Sequence, residues 1–377
     1  MFALEALAQL AAETVDDAGF DKHEVDGLAI AAVPEAPLFA PSAVAEYLGI
    51  TSNFNEIVDL GGATAAGMVW RAAAAIEAGM CEAVLCLCPA VPAPAAPGSA
   101  PVASRKKISV YMGGEAWGSP QALYDIPSGL VAAAPSYALI AKRYMAEFGL
   151  DELTLARLAV HARHNAQANP AALFYGKPIT TDDVMASRML VDPIKLLDSV
   201  MPCYGGAAVL VAGSERARRG RHRPARISGY GERLSHRSVT YMPDLLDPPL
   251  RLASERAYRM AGVLPRSVDL ASVYDCFTIT VLLTLENAGF CARGAGAAFV
   301  NEHDFRFDGG DLPLNTHGGQ LGFGQPGLAG GMSHVVEAVR QLQGRAAARQ
   351  LRHCEIAYCN GNGGMMSEHV ALILEGG

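Results

Sequence analysis

Asn315-Thr-His-Gly-Gly-Gln-Leu-Gly-Phe-Gly-Gln-Pro-Gly-Leu-Ala-Gly-Gly331 runs directly into the apolar-periodic segment Met332 to Leu342. Seven of these seventeen residues are Gly, and a helix or strand interior would carry the entropic cost of each one. The stretch reads as a loop stripped of side chains so that backbone N–H groups can face a ligand. Its Gly327 to Gly331 end leads into a helix whose N-terminus favours negative charge. A tight packing turn before a helix would use the same glycines, so the loop has to be weighed with the rest of the chain.

Outward from the loop, helical and extended patterns alternate. Met1 to Ala18 is apolar with Glu5, Glu13, Asp16 and Asp17 at helical spacing, which predicts an amphipathic helix rather than a targeting leader. Strands are expected at Val25 to Ala32, Asn55 to Leu60, Glu82 to Leu87 and Ala207 to Ala212, with an Ala-rich helix from Ala63 to Ala78 after Gly61-Gly62. Ser136 to Phe148 and Asp151 to Asn165 read as helices, the second capped by Asp151. The second half repeats this outline: strands at Arg226 to Tyr230, Leu270 to Val273, Glu355 to Cys359 and His369 to Leu374, and helices at Leu252 to Ala261 and Thr278 to Ala288. Such alternation is the mark of parallel α/β construction, and the two glycine-before-helix units suggest an internal duplication. Residues Pro89 to Pro101 hold five Pro and are read as neither sheet nor helix, the start of an irregular insert at 89–135 that covers a site or meets a partner.

The 377 residues suffice for two domain-sized halves, and 51% hydrophobic with 18% charged residues fits a soluble α/β enzyme. A formal net charge of −8 argues against nucleic acid as a partner. No apolar run is long enough for a membrane span. The eight Cys show no metal-ligand spacing and read as reduced thiols of a cytoplasmic protein. The basic run Glu215 to Arg226 reads as a solvated linker between halves; its sharper reading is a contact to coenzyme A phosphates.

The order Asn-x-x-Gly-Gly, then Gly-x-Pro, then small residues and a helix resembles the C-terminal active-site loop of the thiolase superfamily, whose phrase is Gly-His-Pro where this chain has Gly324-Gln325-Pro326. Val273-Tyr-Asp-Cys-Phe277 is similar to the His-Asp-Cys-Phe of sterol-carrier-type thiolases, and Cys359-Asn-Gly-Asn-Gly-Gly364 to the glycine-rich loop before the family's last strand. The resemblance implies an α/β thiolase-like fold: two βαβ-rich halves, 1–224 and 225–377, packed as a layered α/β/α/β/α sandwich. Chains of this kind begin with a strand before the first helix. None is visible here, so either another segment takes its place or the start is truncated.

Claisen-type thiolases use a thiolate at the head of the first-half helix, a His that activates it and a second Cys that moves a proton. Here the first position falls on Gly62, the His is Gln325, and the second Cys aligns with Cys359 or Asn360. Cys81, Cys86 and Cys88 read as small buried hydrophobes. With up to three chemical groups changed together, the pattern points to a repurposed site. Candidate acid–base groups are Tyr274, His317 and Tyr358, with Asp275 as a helix cap or supporting partner. Packing is the competing reading for Tyr274. Backbone amides at Gly62, Ala63 and Thr64 and at Gly361, Asn362, Gly363 and Gly364 match the family's oxyanion donors, with Gln325, Cys359 and Asn360 beside them.

A thiolase-like chain without the nucleophile, with Tyr-Asp for His-Asp, looks like the lipid-transfer-protein branch, which includes steroid side-chain aldolases. That resemblance implies retro-aldol cleavage of a β-hydroxyacyl coenzyme A thioester, with no metal and no tightly bound cofactor. It also implies a homodimer that works with a small zinc-ribbon and OB-fold acyl-CoA-binding protein. The alternatives are an acyltransferase using Cys359 or Cys276, and a non-catalytic subunit of a hetero-complex.

Overall fold

In the computed structural model, residues 2–91 and 118–377 are described. Most of the insert expected at 89–135, including Tyr111 and Trp117, lies outside them.

The amphipathic pattern at the start becomes α1 (Ala3–Ala18), which buries Ala3, Ala6, Leu7, Ala11 and Val15 at helical spacing. There follow β1 (Gly27–Ile30), α2 (Ala40–Leu48), β2 (Phe54–Ile57), α3 (Thr64–Glu77) and β3 (Ala83–Ala90). Next come α4 (Ala133–Phe148), α5 (Glu152–Ala166) and β4 (Gly205–Ala212). Asp151 caps α5, its carboxylate accepting from Leu153 N–H at 3.0 Å. The second half holds β5 (Ala225–Leu234), α6 (Leu250–Ala261), β6 (Leu270–Ser272), α7 (Thr278–Asn287), α8 (Gly319–Phe323), α9 (Ala329–Leu342), β7 (Ile356–Gly363) and β8 (Glu368–Gly376).

One four-stranded sheet has the order β2-β1-β3-β4 and a second β5-β8-β7-β6. In the first, β1 is parallel to β2 and β3, and β4 is antiparallel to β3. In the second, β6 is parallel to β7, and β8 is antiparallel to β7 and β5. β1, β3, β4 and α3 thus have counterparts in β6, β7, β8 and α9, the arrangement expected of a duplication. Helices α3 and α9 lie in the core between the sheets, where Ala65, Met68, Val69 and Ala72 meet Met332, Val335 and Ala338. Among the described residues of the first half no strand is the counterpart of β5. Among the described residues the outer edge of β4 takes no strand, and it lines a groove of about 1310 Å³ with Leu10, Phe20 and Val339.

Three local expectations fail for physical reasons. Pro89 and Ala90 belong to β3 and pair with Gly206 and Gly205. The pairing of β3 with β1 has ended at Leu87, so the absent Pro89 N–H faces no partner strand. Gly330 and Gly331 fall inside α9 rather than in a loop. A Cβ on Gly331 would stand 2.5 Å from Gly62 O and one on Gly330 2.3 Å from Gln320 Oε1, so close approach offsets the helix-propensity cost. Likewise Asn360 to Gly363 continue β7. A Cβ on Gly361 would lie 2.5 Å from Ala63 Cα and one on Gly363 1.9 Å from Leu60 O, so these glycines let the strand pass beneath the start of α3.

The basic run proves structural along most of its length. Arg216 pairs with Glu24, Arg221 and His222 with Asp16 and Asp17, Arg223 with Glu355 and Arg226 with Glu375.

Candidate active site

The three family-like stretches converge on the head of α3. Asn315, at a positive φ of 50°, takes Val273 N–H on Oδ1 at 2.7 Å and donates from Nδ2 to Val273 O at 2.9 Å. This amide clamp fixes the glycine-rich segment beside the end of β6. One residue on, Tyr274 N–H donates to Asn360 Oδ1 at 3.0 Å, tying the same point to β7. Asp275 accepts from Gln320 N–H at 2.7 Å and Leu321 N–H at 3.2 Å. It therefore caps α8, using the unpaired amides of a helix N-terminus, and not the helix that directly follows it.

The Tyr274 side chain runs toward Gly62. An ideal Cβ on Gly62 would stand 2.3 Å from Tyr274 Cζ and 2.4 Å from its hydroxyl oxygen. The phenol thus occupies the space into which a side chain at residue 62 would project, and glycine there is a steric requirement. Gln325 Nε2 donates to Tyr274 Oη at 3.1 Å. Gln325 is itself pinned by its backbone, N–H to Met201 O at 2.9 Å and C=O from Cys203 N–H at 3.1 Å. The heads of α3 and α9 meet here through the Gly62–Gly331 contact, so two helix N-termini favour negative charge at one place.

The expected amide cradle is smaller than the sequence suggests. Ala63 N–H bonds Leu60 O and Thr64 N–H bonds Gly61 O, so the turn consumes both, leaving Gly62 as the donor of that segment. Gly361 and Gly363 are ladder residues facing Val370 and Glu368, and Gly364 takes a positive φ of 59°.

His317 is buried beside this centre, Nε2 lying 3.2 Å from Ser333 Oγ, with its ring perpendicular to that of His334 at 5.0 Å. Burial first, and then the neighbouring cationic groups, hold its imidazole well below the usual range. His334, which the sequence reading passed over, stands at the hub. Its Nε2 is 3.2 Å from Asp275 Oδ1 and its ring 6.2 Å from that of Tyr274. It sits inside an apolar helix, where one polar letter gives no signal.

Tyr358 does not join the group. Its hydroxyl lies 2.8 Å from Ser254 Oγ on α6, its ring stacks on Tyr258, and burial raises its pKa. Tyr358→Phe should cost about 1 kcal/mol of stability, as for one neutral hydrogen bond, and leave kcat/KM within a few-fold of the parent. A loss as large as that from Tyr274→Phe would put Tyr358 back in the chemistry. The thiols fare no better as nucleophiles: burial pushes Cys359 up to about 12 and Cys276 up to about 11. Cys81 and Cys88 are pushed up to about 11 and about 12, and Cys86 rises by the same cause. Among the described residues no His, Cys, Asp and Glu cluster is suited to a metal, and no helix is long and apolar enough to cross a membrane.

The buried histidines set a pH limit. His369 is fully buried and its imidazole is pushed down to about 3, mainly by desolvation, and His317 is lowered by the same cause. Below about pH 6.5 an unfolded chain protonates these rings while the folded chain does not. Stability should then fall with pH by about 1.4 kcal/mol per pH unit for each such His, continuing toward pH 3 for His369. We expect Tm to drop from pH 7 to pH 5 and His369→Gln to flatten that slope. A Tm constant across this range would contradict both assignments.

Residues 231–376 match the family described as Thiolase C-terminal domain-like. A steroid side-chain-cleaving aldolase of Thermomonospora curvata is 36% identical over 357 residues, covering 89% of this chain and 85% of that protein. The chain belongs to the thiolase superfamily. Within it the neighbours are those of the sterol-carrier-type thiolase-like branch. A 17-hydroxy-3-oxo-4-pregnene-20-carboxyl-CoA lyase of Mycobacterium tuberculosis is 37% identical over 226 residues, 59% of this chain and 58% of that protein. Among solved structures, an Ltp2–ChsH2 (DUF35) aldolase superposes with a TM-score of 0.86 at 32% identity, covering 100% of this chain and 93% of that one. A monomeric SCP2-thiolase-like protein of Mycobacterium smegmatis, at 20% identity and a TM-score of 0.75, shares the thiolase-like fold.

Proposed function

We propose that this thiolase-superfamily chain is a lyase that cleaves a β-hydroxyacyl coenzyme A thioester by a retro-aldol reaction. The observation that carries the proposal is the Tyr274 phenol seated in the space of the side chain that Gly62 lacks. Tyr274 Oη, as phenolate stabilised by Gln325 Nε2 and by the two helix N-termini, takes the β-hydroxyl proton. The β-oxygen becomes a carbonyl as the Cα–Cβ bond breaks, and the electron pair passes into the thioester as an enolate. Gly62 N–H and the helix heads stabilise that negative oxygen. Return of the proton from Tyr274 to Cα gives a shortened acyl-CoA and a ketone or aldehyde and restores the phenolate. No acyl-enzyme forms, in keeping with glycine at residue 62 and with thiols held protonated by burial.

One relative named for steroid side-chain cleavage and one named for a pregnene-carboxyl-CoA support an acyl group carried on a steroid ring. An aldolase solved together with a DUF35 protein supports a small partner here, for which we retain a zinc-ribbon and OB-fold acyl-CoA-binding protein. The chain would act with it as a cytoplasmic homodimer. The test is mass spectrometry of β-hydroxyacyl-CoA thioesters incubated with the chain, with and without the partner. A released ketone or aldehyde with the matching shortened acyl-CoA is expected; an acyl adduct on Cys359 or Cys276 would favour the acyltransferase instead.

A further inference from the structure

The two halves differ at one sheet edge. In the second half β8 lies between β7 and β5, and Val370 to Leu374 are buried. Its counterpart β4 pairs with β3 on one side, and among the described residues its other edge faces the groove beside α1. Ala207 to Ala212 are accordingly only half-buried, although every one of them is apolar. Both faces of this slot are walled by side chains of the same kind. Ala208 and Leu210 join Leu10 and Phe20 on the α1 side. Val209 and Val211 join Ile76 and Val339 on the side of α3 and α9. An edge of this kind presents a row of backbone N–H and C=O groups ready to pair with another strand.

We propose that this slot seats an added β-strand, antiparallel to β4 and continuous with the amino end of α1. The duplication sets its direction. β5 runs antiparallel to β8, ends with Leu234 beside Glu368 at the start of β8, and leads on to α6. α6 lies over β5 and β8, and α1 lies in the same way over β4 and β3. The approach is close in both halves: a Cβ on Gly231 would stand 2.1 Å from Ala253 O of α6, and one on Gly206 2.6 Å from Leu10 Cδ1 of α1. The chain ends agree with this direction. Gly205 pairs with Ala90 at the far end of β3, which runs parallel to β1. Ala3 N–H donates to Glu35 Oε1 at 2.8 Å, in the segment that follows β1. A strand antiparallel to β4 would therefore finish on the side of the sheet where α1 starts. The walls set its chemistry: apolar on both faces and uncharged along the eight-residue length of β4. His317, Ser333 and Pro326 line the same groove, so the strand would also close it toward the site. The inference does not depend on the reaction assigned there.

The test is hydrogen exchange of the β4 amides, read by mass spectrometry together with Tm, on two extended chains. One carries a strand of about eight Val and Ala residues joined to Met1 through a Gly/Ser link. The other carries the same extension with Pro interspersed, which cannot form the ladder. Relative to the unextended chain, the Val/Ala strand should slow exchange in Ala207 to Ala212 by about tenfold or more and raise Tm. The Pro-bearing extension should do neither. Val339→Glu in the strand-extended chain puts a charge in the slot and should restore fast exchange. A free peptide of the same sequence should protect β4 only near millimolar concentration, the effective concentration that a short flexible link supplies. Equal exchange in the two extended chains, or protection that survives Val339→Glu, overturns the inference. So does protection by the free peptide at micromolar concentration with none from the joined strand, which would assign the slot to a separate partner.

Discussion

Tyr274→Phe should lower kcat for C–C cleavage by about 10²–10⁴-fold, the usual range for removing a positioned acid–base group, with KM little changed. The substitution removes one oxygen and keeps the ring that fills the space over Gly62. The clamp of Val273 by Asn315 and the Tyr274 N–H to Asn360 bond involve backbone atoms of the 273–274 segment, so the local fold should survive. The measurement is single-turnover release of the ketone or aldehyde, alongside Tm. A loss of less than tenfold in a stable variant would move the proton-transfer role to another group. Gln325→Leu, which removes the donor to the phenol oxygen, should give a smaller loss and move the acid limb of the rate profile to higher pH, because the ionised form loses a hydrogen bond that favours it.

Gly62→Cys should abolish cleavage without restoring thiolase chemistry. Its Cβ would stand 2.3 Å from Tyr274 Cζ and 2.3 Å from Asn362 O, distances at which the phenol must leave or the strand must shift. Overpacking of this kind costs typically 1–3 kcal/mol, read as a fall in Tm. The displaced phenol would be lost to the retro-aldol step, and the new thiol would find Gln325 where the family uses His. Intact-mass measurement after acyl-CoA treatment should therefore show no adduct. A stable variant that cleaves at the wild-type rate would show that the phenol does not need that space.

Much of this arrangement is legible in the chain. Local periodicity places α1, α3, α6 and nearly every strand of both sheets, because an apolar face must recur at 3.6 or 2 residues. It fails where a contact across the core overrides local preference. Gly330, Gly331, Gly361 and Gly363 look like loop letters, yet they lie in a helix and a strand because another backbone presses on them. In the site, the motifs lead to Tyr274, Asp275 and Gln325, which share one neighbourhood. They cannot separate Tyr358 from Asn360, which lie on the same face of β7 yet reach different partners, Ser254 and Tyr274. His334 carries no motif at all, and only the packing of α9 brings it in.

The exclusion between residue 62 and the Tyr274 ring also bears on ancestry. A lineage leaving sulfur chemistry must lose its cysteine before, or together with, gaining the tyrosine, since neither side chain tolerates the other. Once the ring has settled over the glycine, a single reversion is a dead end in both directions. Homologues should therefore carry one member of the pair or the other, with intermediates that hold both rare and poorly folded.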